Sequence, residues 1–481
     1  MGGSLVPDLG ISPFNWLILS WLAVVILFFK FNRLVSVRNL DLCLLFILSP
    51  GLMQLVSEPD AQRAWGAYVW LLAGSGLLLA RCLVDLGLPR RPVLEPNLNT
   101  PGLFTLTVAL LALLMAETIE LPLAHGARRN PAERPERIDE ARRGPTVVEA
   151  VEETLDSVPA GLPKHLPLPS LPERFREDRL REWVSRGLAM GSHLTIVGGL
   201  WWLGHRLHGR REIGLAMAAC YLLLPYTRVA LVDSGQLVAS ALIVAAIVAR
   251  DRPWICGLLI TTAAAWIPAC VGLVPIWALR TRDRATLKFL ASASVVVASS
   301  LMVQTLLPEA TSWARALGAR SFKEAGLQLS DLEFNFTSPP EDPPSPQPGV
   351  PSQPAANSTP VTSLWSGLEP SYRIPVLTLA LAFVMLVSFW PAQKTPAELI
   401  AVSCATLITS QFWYLDHGGT LVALYLPLLL ILIFRPSRTS PLRRVSPTRG
   451  RPHALPPASS LKTNSDTASI ASSSSGLSRG G

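Results

Sequence analysis

Residues Trp254–Leu279, with the sequence WICGLLITTAAAWIPACVGLVPIWAL, decide the fold of this chain. The stretch carries no charged residue, and it is longer than the roughly 20 apolar residues that one helix needs to cross a bilayer. Pro268 stands in its middle. Because proline lacks a backbone N–H and restricts the residue before it, here Ile267, a helix is expected to end at this point. The stretch therefore predicts two helical segments joined by a break.

Basic residues flank this stretch on both sides. Membrane proteins keep Lys and Arg on the cytoplasmic side of the bilayer. A single crossing would put the two basic groups on opposite sides, whereas a hairpin leaves both of them in the cytoplasm. The sequence therefore predicts a broken helical hairpin that turns near the outer surface. The flanking residues are Arg250 and Arg252 before the stretch, and Arg280, Arg282, Arg284 and Lys288 after it.

The composition argues against a soluble protein. The 481 residues are 49% hydrophobic and 16% charged, which lies outside the usual range of soluble globular domains. The net charge of +8 would suit a nucleic-acid partner, but the basic residues stand in short clusters between apolar runs instead of forming one face. We therefore predict membrane lipids, and no nucleic acid, as partners of this chain.

Further apolar runs along the chain are long enough for helices that cross a bilayer, when flanking residues extend the shorter ones. With the hairpin included, they predict an all-α, polytopic membrane protein with about 11 to 13 transmembrane segments and two long extracytoplasmic loops. The runs are residues 14–31, 40–56, 65–84, 101–116, 187–204, 213–224, 237–249, 289–306, 375–390, 399–414 and 421–434.

The other basic clusters all fall on one side when the hairpin counts as two crossings. Residues 1–13 also lack the basic flank of a cleavable signal peptide, since Asp8 is their only charged side chain. The sequence thus predicts an integral protein of the plasma (inner) membrane, with its N-terminus outside and its C-terminus in the cytoplasm. The clusters are Lys30/Arg33/Arg38, Arg90/Arg91, Arg206/Arg210/Arg211, Lys394 and the tail from Arg435.

This topology divides the chain into six regions. They are N-terminal transmembrane helices (1–116), an extracytoplasmic loop with surface helices (117–186), a central transmembrane region with the hairpin at 254–279 (187–306), a proline-rich extracytoplasmic loop (307–374), C-terminal transmembrane helices (375–434), and a disordered, basic and serine-rich cytoplasmic tail (435–481).

The first extracytoplasmic loop has two segments with a helical pattern. Residues 147–158 repeat apolar side chains at helical spacing. Residues 171–184 mix aromatic, apolar and charged side chains, which is typical either of a helix lying at the membrane surface or of an ordinary loop helix. In the second loop, the triplets that begin at Asn335 and Asn357 match the glycosylation pattern, and chance occurrence is their default explanation.

Residue types that bind metals or carry charge are sparse inside the apolar runs. The six cysteines lie in apolar segments without the spacing of a zinc site, so they are expected to be buried hydrophobes. We predict neither a metal nor a cofactor. Arg81 and Asp85 lie near one helix end, where we expect them to snorkel towards water. The cysteines are Cys43, Cys82, Cys220, Cys256, Cys270 and Cys404.

Polar residues collect instead at the helix ends that the topology places outside. They occur after the run that ends at Ala116, in the turn at 225–236, and near residue 416, so all three groups face the same compartment. The groups are Glu117 and Glu120; Arg228, Asp233 and Gln236; and Asp416 and His417.

The order of these features resembles the GT-C-fold glycosyltransferases, which use polyprenyl-phosphate sugars as donors. The likeness extends over about residues 101–434. It comprises an acid after a transmembrane helix, a long outer loop, the segments Tyr221–Tyr226 and Asp233–Leu237, and the broken hairpin.

The resemblance implies roles for the residues at the outer helix ends. Glu117 or Glu120 would be the general base, and Arg228 would bind the donor phosphate. Asp233, Gln236, Asp416 and His417 complete the predicted substrate-binding set. The chemistry is suitable, since a carboxylate accepts a proton from an acceptor hydroxyl and a guanidinium binds phosphate.

Other interpretations stay open at this stage. The chain is alternatively a transporter or lipid-handling protein with a broken hairpin at its substrate site, or a non-catalytic membrane scaffold. The individual residues also have structural explanations. Glu117 and Glu120 would end a helix in water, Arg228 and Asp233 would form an exposed pair of little energetic value, and Asp416-His417 would form a turn.

Overall fold

The computed structural model describes residues 13–31, 36–57, 61–87, 96–120, 173–280, 284–306, 310–311, 314–315, 317, 319–320, 365, 372–391, 393–414 and 418–435. Among these residues there are helices and no β-strand, which confirms the all-α prediction. The helices are α1 (Pro13–Phe28), α2 (Val37–Leu45), α3 (Ser49–Ser57), α4 (Ala61–Gly87), α5 (Thr100–Glu120), α6 (Glu173–His208), α7 (Arg211–Leu223), α8 (Pro225–Val229), α9 (Ser234–Val248), α10 (Pro253–Trp266), α11 (Leu273–Ala278), α12 (Arg284–Leu306), α13 (Arg373–Phe389), α14 (Pro396–Ser410) and α15 (Val422–Ile433), with a 3-10 turn at Pro268–Cys270.

Several predicted features lie outside the described residues. They are the helical pattern at 147–158, the triplets at Asn335 and Asn357, most of the proline-rich loop, the Arg90/Arg91 cluster, and the tail after Arg435.

Three of the described helical segments are long and apolar enough to cross a membrane. They are Trp65–Leu86, Thr100–Ile119 and Arg284–Leu306, with 22, 20 and 23 residues. The remaining apolar helices in the described part are shorter, with 10–17 residues each. Apolar side chains on one face of such helices pack together into the common core, in which α7, α14 and α15 are buried along most of their length.

The predicted break in the long apolar stretch is present. Helix α10 ends at Trp266, and Ile267 is extended before the 3-10 turn that begins at Pro268. The chain then reverses. Gly257, near the start of α10, lies against Phe289 near the start of α12, so both helices begin at the same end of the bundle. The segment that includes α11 must therefore return to that end.

The apolar run at 40–56, which was predicted to be one helix, is divided into α2 and α3. Pro50 is the second residue of α3, and it cannot donate the backbone hydrogen bond that would join the two helices. The chain passes between them through a turn in which the amides of Phe46 and Ser49 donate to Cys43 O and Phe46 O at 3.1 and 3.0 Å.

The helical pattern predicted at 171–184 is present from Glu173 onwards, but it does not form a helix of its own. Glu173–His208 is a single helix of 36 residues that contains both this segment and the apolar run at 187–204. At 1.5 Å per residue, α6 is about 54 Å long, which exceeds the roughly 30 Å hydrocarbon core of a bilayer. The first part of α6 is rich in charged residues, whereas the second part is apolar, and the helix continues through both without a break.

The prediction that Arg81 and Asp85 snorkel towards water is also wrong. Arg81 Nε lies 2.5 Å from Asp41 Oδ1, and Arg81 Nη1 lies 2.8 Å from Asp85 Oδ1. All three side chains are buried. Asp41 on the neighbouring helix α2 supplies an opposite charge inside the bundle, so the arginine is satisfied there and does not need to reach water.

Contacts between helix termini define two ends of the bundle. The end that carries Phe28 and Phe434 is called the basic end, because Lys30 and Arg435 follow directly. Helix α5 begins at this end with Thr100 and runs to the opposite end, which is called the site end. The contacts at the basic end are Phe28–Phe434 (ring centroids 5.3 Å apart), Asn97 Nδ2 to Phe29 O (3.2 Å), Thr100 Oγ1 to Glu212 Oε1 (3.0 Å) and Arg206 Nη2 to Asp251 Oδ2 (3.1 Å).

Candidate functional site

The candidate site is built around the short helix α8 at the site end. Leu224 is extended, and Pro225 follows as the first residue of α8, where its fixed φ favours a new helix and its missing N–H costs nothing. The chain therefore turns sharply after α7. This turn carries Arg228 beyond the end of α7 and towards α1 and α5.

Buried hydrogen bonds hold α8 in place. Tyr226 Oη donates to Leu45 O at 2.6 Å and accepts from Ser49 Oγ at 3.0 Å, so α8 is attached to α2 and α3. Thr227 Oγ1 donates to Tyr221 O on α7. A buried hydroxyl without a hydrogen-bond partner destabilises the fold. A shift of α8 would break these bonds, so they hold α8, and with it Arg228, in this position.

Arg228 forms an ion pair with Glu117, the predicted base. Arg228 Nη2 lies 2.7 Å from Glu117 Oε1, with 40% of the arginine side chain and 20% of the glutamate side chain exposed. The guanidinium also lies over the ring of Trp16 on α1, 4.1 Å from the ring centroid, which is a cation–π contact. Three helices far apart in sequence therefore meet at one guanidinium.

A second arginine holds the last turn of α5. Arg186 on α6 is nearly buried, and its Nη1 donates to Ile119 O. A cation at this position is favourable, because the C-terminal end of a helix carries unsatisfied carbonyls and a partial negative charge. The guanidinium of Arg186 lies 5.7 Å from the ring centroid of Trp183. Each of the two arginines thus lies near a tryptophan.

Asp233 and Gln236 are engaged with each other. The Asp233 carboxylate is the N-cap of α9, accepting from Gln236 N at 3.3 Å and from Gln236 Nε2 at 2.9 Å. Between them in sequence, Ser234 Oγ lies 3.2 Å from Ser185 Oγ on α6 and donates to Leu317 O at 2.6 Å. This arrangement gives Asp233 and Gln236 a structural role in starting α9.

The other predicted site residues are not described by the structure. Glu120 ends α5, and its side chain lies outside the described part, as do Asp416 and His417. Their connection between α14 and α15 begins beside the hairpin turn, since Ala269 N donates to Tyr414 Oη at 3.1 Å. Of the predicted residues, Glu117 and Arg228 are therefore the pair that the structure brings together.

Sequence reasoning missed Trp16 and Arg186. Trp16 lies at the beginning of the first apolar run, and Arg186 directly precedes the run at 187–204. Tryptophan and arginine near the ends of apolar runs are typical of membrane interfaces, and this signal would have placed both residues at the same level as Glu117.

Comparison with known proteins finds no relative for this geometry: no family model, no curated protein and no solved structure matches the chain. Within the described residues, no three His, Cys, Asp or Glu side chains are grouped as a metal site.

Proposed function

We propose that this chain is a multi-pass protein of the plasma (inner) membrane. The support comes from apolar side chains on the outside of the bundle. In α12, the buried residues are Phe289 and Ala293, whereas Leu287, Val295 and Leu306 are 69%, 65% and 64% exposed. Soluble monomers rarely expose contiguous apolar patches of this kind, but lipid chains cover them without cost.

The grouping of charges supports the predicted orientation. Lys30, Arg211, Arg252 and Arg435 belong to helix ends or connections at the basic end, and the positive-inside rule assigns such an end to the cytoplasm. In the proposed orientation, the site end with Arg228 faces outwards, and so does the N-terminus. Partners at that face are membrane lipids and substrates that reach the outer leaflet.

The proposed activity is transfer of a sugar from a polyprenyl-phosphate donor at the outer face, in the manner of a GT-C-like glycosyltransferase. One observation carries it: Glu117 and Arg228, assigned to the acceptor proton and the donor phosphate, lie 2.7 Å apart. A base and a phosphate ligand must be close together, because the attacking oxygen and the leaving phosphate are bonded to the same sugar carbon in the reaction.

The reaction balances with these two groups. The acceptor hydroxyl oxygen attacks the anomeric carbon, and its proton passes to the Glu117 carboxylate. The bond between that carbon and the phosphate oxygen breaks, and polyprenyl phosphate leaves with the electron pair. Arg228 stabilises the negative charge that develops on the leaving phosphate.

A second candidate is a lipid-handling protein that binds an anionic headgroup without cleaving it. The ion pair itself favours this reading, because a glutamate that is engaged by Arg228 is occupied as a charge partner. Under this alternative, Arg228 and Trp16 would bind the headgroup, and Glu117 would only balance the charge of the arginine.

An activity assay distinguishes the two. Purified protein is incubated with polyprenyl-phosphate sugars, and transfer or hydrolysis is measured for the wild type, Glu117→Gln and Glu120→Gln. Loss of the base should reduce turnover by about 10²–10⁴-fold. Glu212→Gln is the matched control, since Glu212 lies at the basic end, hydrogen-bonded to Thr100. Transfer that survives both site substitutions together would remove these glutamates from the mechanism.

A further inference from the structure

Arg228 has Trp16 and Glu117 as neighbours of its guanidinium. The Arg228 Cζ lies over the ring of Trp16, 4.1 Å from the ring centroid, and Glu117 Oε1 lies 2.7 Å from Nη2. Phosphate oxygens also bind a guanidinium at its edge, where the N–H donors point. A phosphate at Arg228 would therefore compete with Glu117 for these donors.

A phosphate can compete for this position. The ion pair is partly exposed, with 40% of the arginine side chain and 20% of the glutamate side chain accessible, so water and salt weaken it. Glu117 Oε1 lies 2.7 Å from Nη2, whereas a phosphate can bind a guanidinium through two parallel, charge-assisted hydrogen bonds. The partner of Nη2 is thus one that a phosphate can replace.

We infer that the donor phosphate displaces the Glu117 carboxylate from Arg228, so that donor binding ends this ion pair before Glu117 accepts a proton. This inference rests on the proposed function and adds its regulation. The ion pair holds the base on the arginine until a phosphate takes its place. Proton acceptance is thereby coupled to the presence of the donor.

The surroundings limit what can move during the exchange. Arg186 holds the last turn of α5 through Ile119 O, two residues after Glu117, and Tyr226 holds α8 through Leu45 O. These contacts hold the two helices that carry the pair, so the exchange needs only a rotation of the Glu117 side chain.

The test measures affinity instead of activity. Full-length protein in detergent micelles is titrated with a polyprenyl phosphate by calorimetry, using the wild type, Glu117→Gln and Glu212→Gln. A neutral amide competes weakly for the guanidinium, so Glu117→Gln should bind at least about fivefold more tightly than the wild type. Glu212→Gln, at the basic end, should bind like the wild type.

Two further ligands identify what is recognised. Inorganic phosphate should bind more weakly but show the same order of variants, because the exchange depends on the phosphate group. A polyprenol without phosphate should not distinguish Glu117→Gln from the wild type. If the polyprenol binds as tightly as the polyprenyl phosphate, Arg228 does not bind the phosphate group, and the proposed exchange is wrong.

The outcomes separate this inference from the proposed function. Binding by the wild type with equal or weaker binding by Glu117→Gln would reject the exchange and leave the glycosyltransferase proposal standing. No binding of polyprenyl phosphate by either protein would reject the proposed function itself. If Glu117→Gln is not monodisperse after purification, Glu117→Asp replaces it, because the shorter side chain withdraws from Arg228 and should also bind the phosphate more tightly.

Discussion

The guanidinium of Arg81 holds both carboxylate oxygens of Asp41, with Nε 2.5 Å from Oδ1 and Nη2 2.8 Å from Oδ2. The same guanidinium contacts Asp85 one turn further along α4. A buried, bidentate contact of this kind ties α2 to α4 near the basic end. Its loss leaves two buried carboxylates without the arginine that neutralises them.

We therefore predict that Arg81→Leu is strongly destabilising. Removing one partner of a buried ion pair typically costs about 3–5 kcal/mol of unfolding free energy. Thermal unfolding in detergent measures the effect, and Arg206→Leu is the control, because its ion pair with Asp251 is half exposed and should contribute about 1 kcal/mol or less. Adding Asp41→Leu to Arg81→Leu should restore part of the loss; a double variant as unstable as the single one would argue against charge burial as the cause.

Replacement of Arg228 by lysine should weaken donor binding more than turnover. Lysine keeps the charge but loses the planar fork and its contact with the ring of Trp16. We expect the affinity for polyprenyl phosphate to fall by roughly tenfold, the equivalent of one charged hydrogen bond. Arg206→Lys at the basic end should change nothing. Undiminished affinity in Arg228→Lys would mean that the phosphate binds elsewhere.

Gly257 is predicted to tolerate no side chain. A Cβ at this position would stand 2.1 Å from Ser292 Oγ and 2.4 Å from Phe289 O, and a backbone carbonyl cannot move aside without displacing α12. Gly257→Ala should lower the unfolding free energy by about 1–3 kcal/mol, the usual effect of overpacking. Gly191→Ala is the matched control, because open space surrounds Gly191 and alanine favours a helix. The two variants should differ in the sign of their effect on thermal stability.

Accessibility of single cysteines checks the proposed topology. Cysteine introduced at Ser170 or Ser352 should react with a membrane-impermeant thiol reagent in intact cells, whereas cysteine at Ser440 should react only after permeabilisation. The wild-type chain gives the background, since its own cysteines lie in apolar segments. Reaction of the Ser440 variant in intact cells would reverse the orientation.

Local patterns predicted most of the helices, because the length of an apolar run and the position of Pro268 act within a single segment. The run at 40–56 predicted one helix, whereas the structure has two, because Pro50 cannot donate the backbone hydrogen bond that would join them. The continuity of α6 was missed for a different reason. The composition of α6 changes from charged to apolar at residue 187. The hydrogen bonds of a helix backbone continue through such a change, because they do not require side chains of one kind.

The candidate site was predicted only in part, because its contacts join separate helices. The predicted topology assigned Glu117 and Arg228 to the same compartment, yet their 2.7 Å contact depends on how α8 is held by Tyr226. Nothing in the sequence around Arg81 identifies Asp41 as its partner, so snorkelling was the expected behaviour. Pairings between helices depend on packing, which a single sequence does not display.

Because α6 is one uninterrupted helix, it extends beyond its apolar run at the site end. Fourteen residues, Glu173 to Arg186, precede its apolar run, and at 1.5 Å per residue they extend about 20 Å. If the apolar run spans the hydrocarbon, this first part extends into the aqueous phase from Arg186, which contacts the end of α5 at Ile119. Glu173, where α6 begins, would then lie about 20 Å beyond the hydrocarbon, and a bulky acceptor would meet the first part of α6 before it reached the lipid surface.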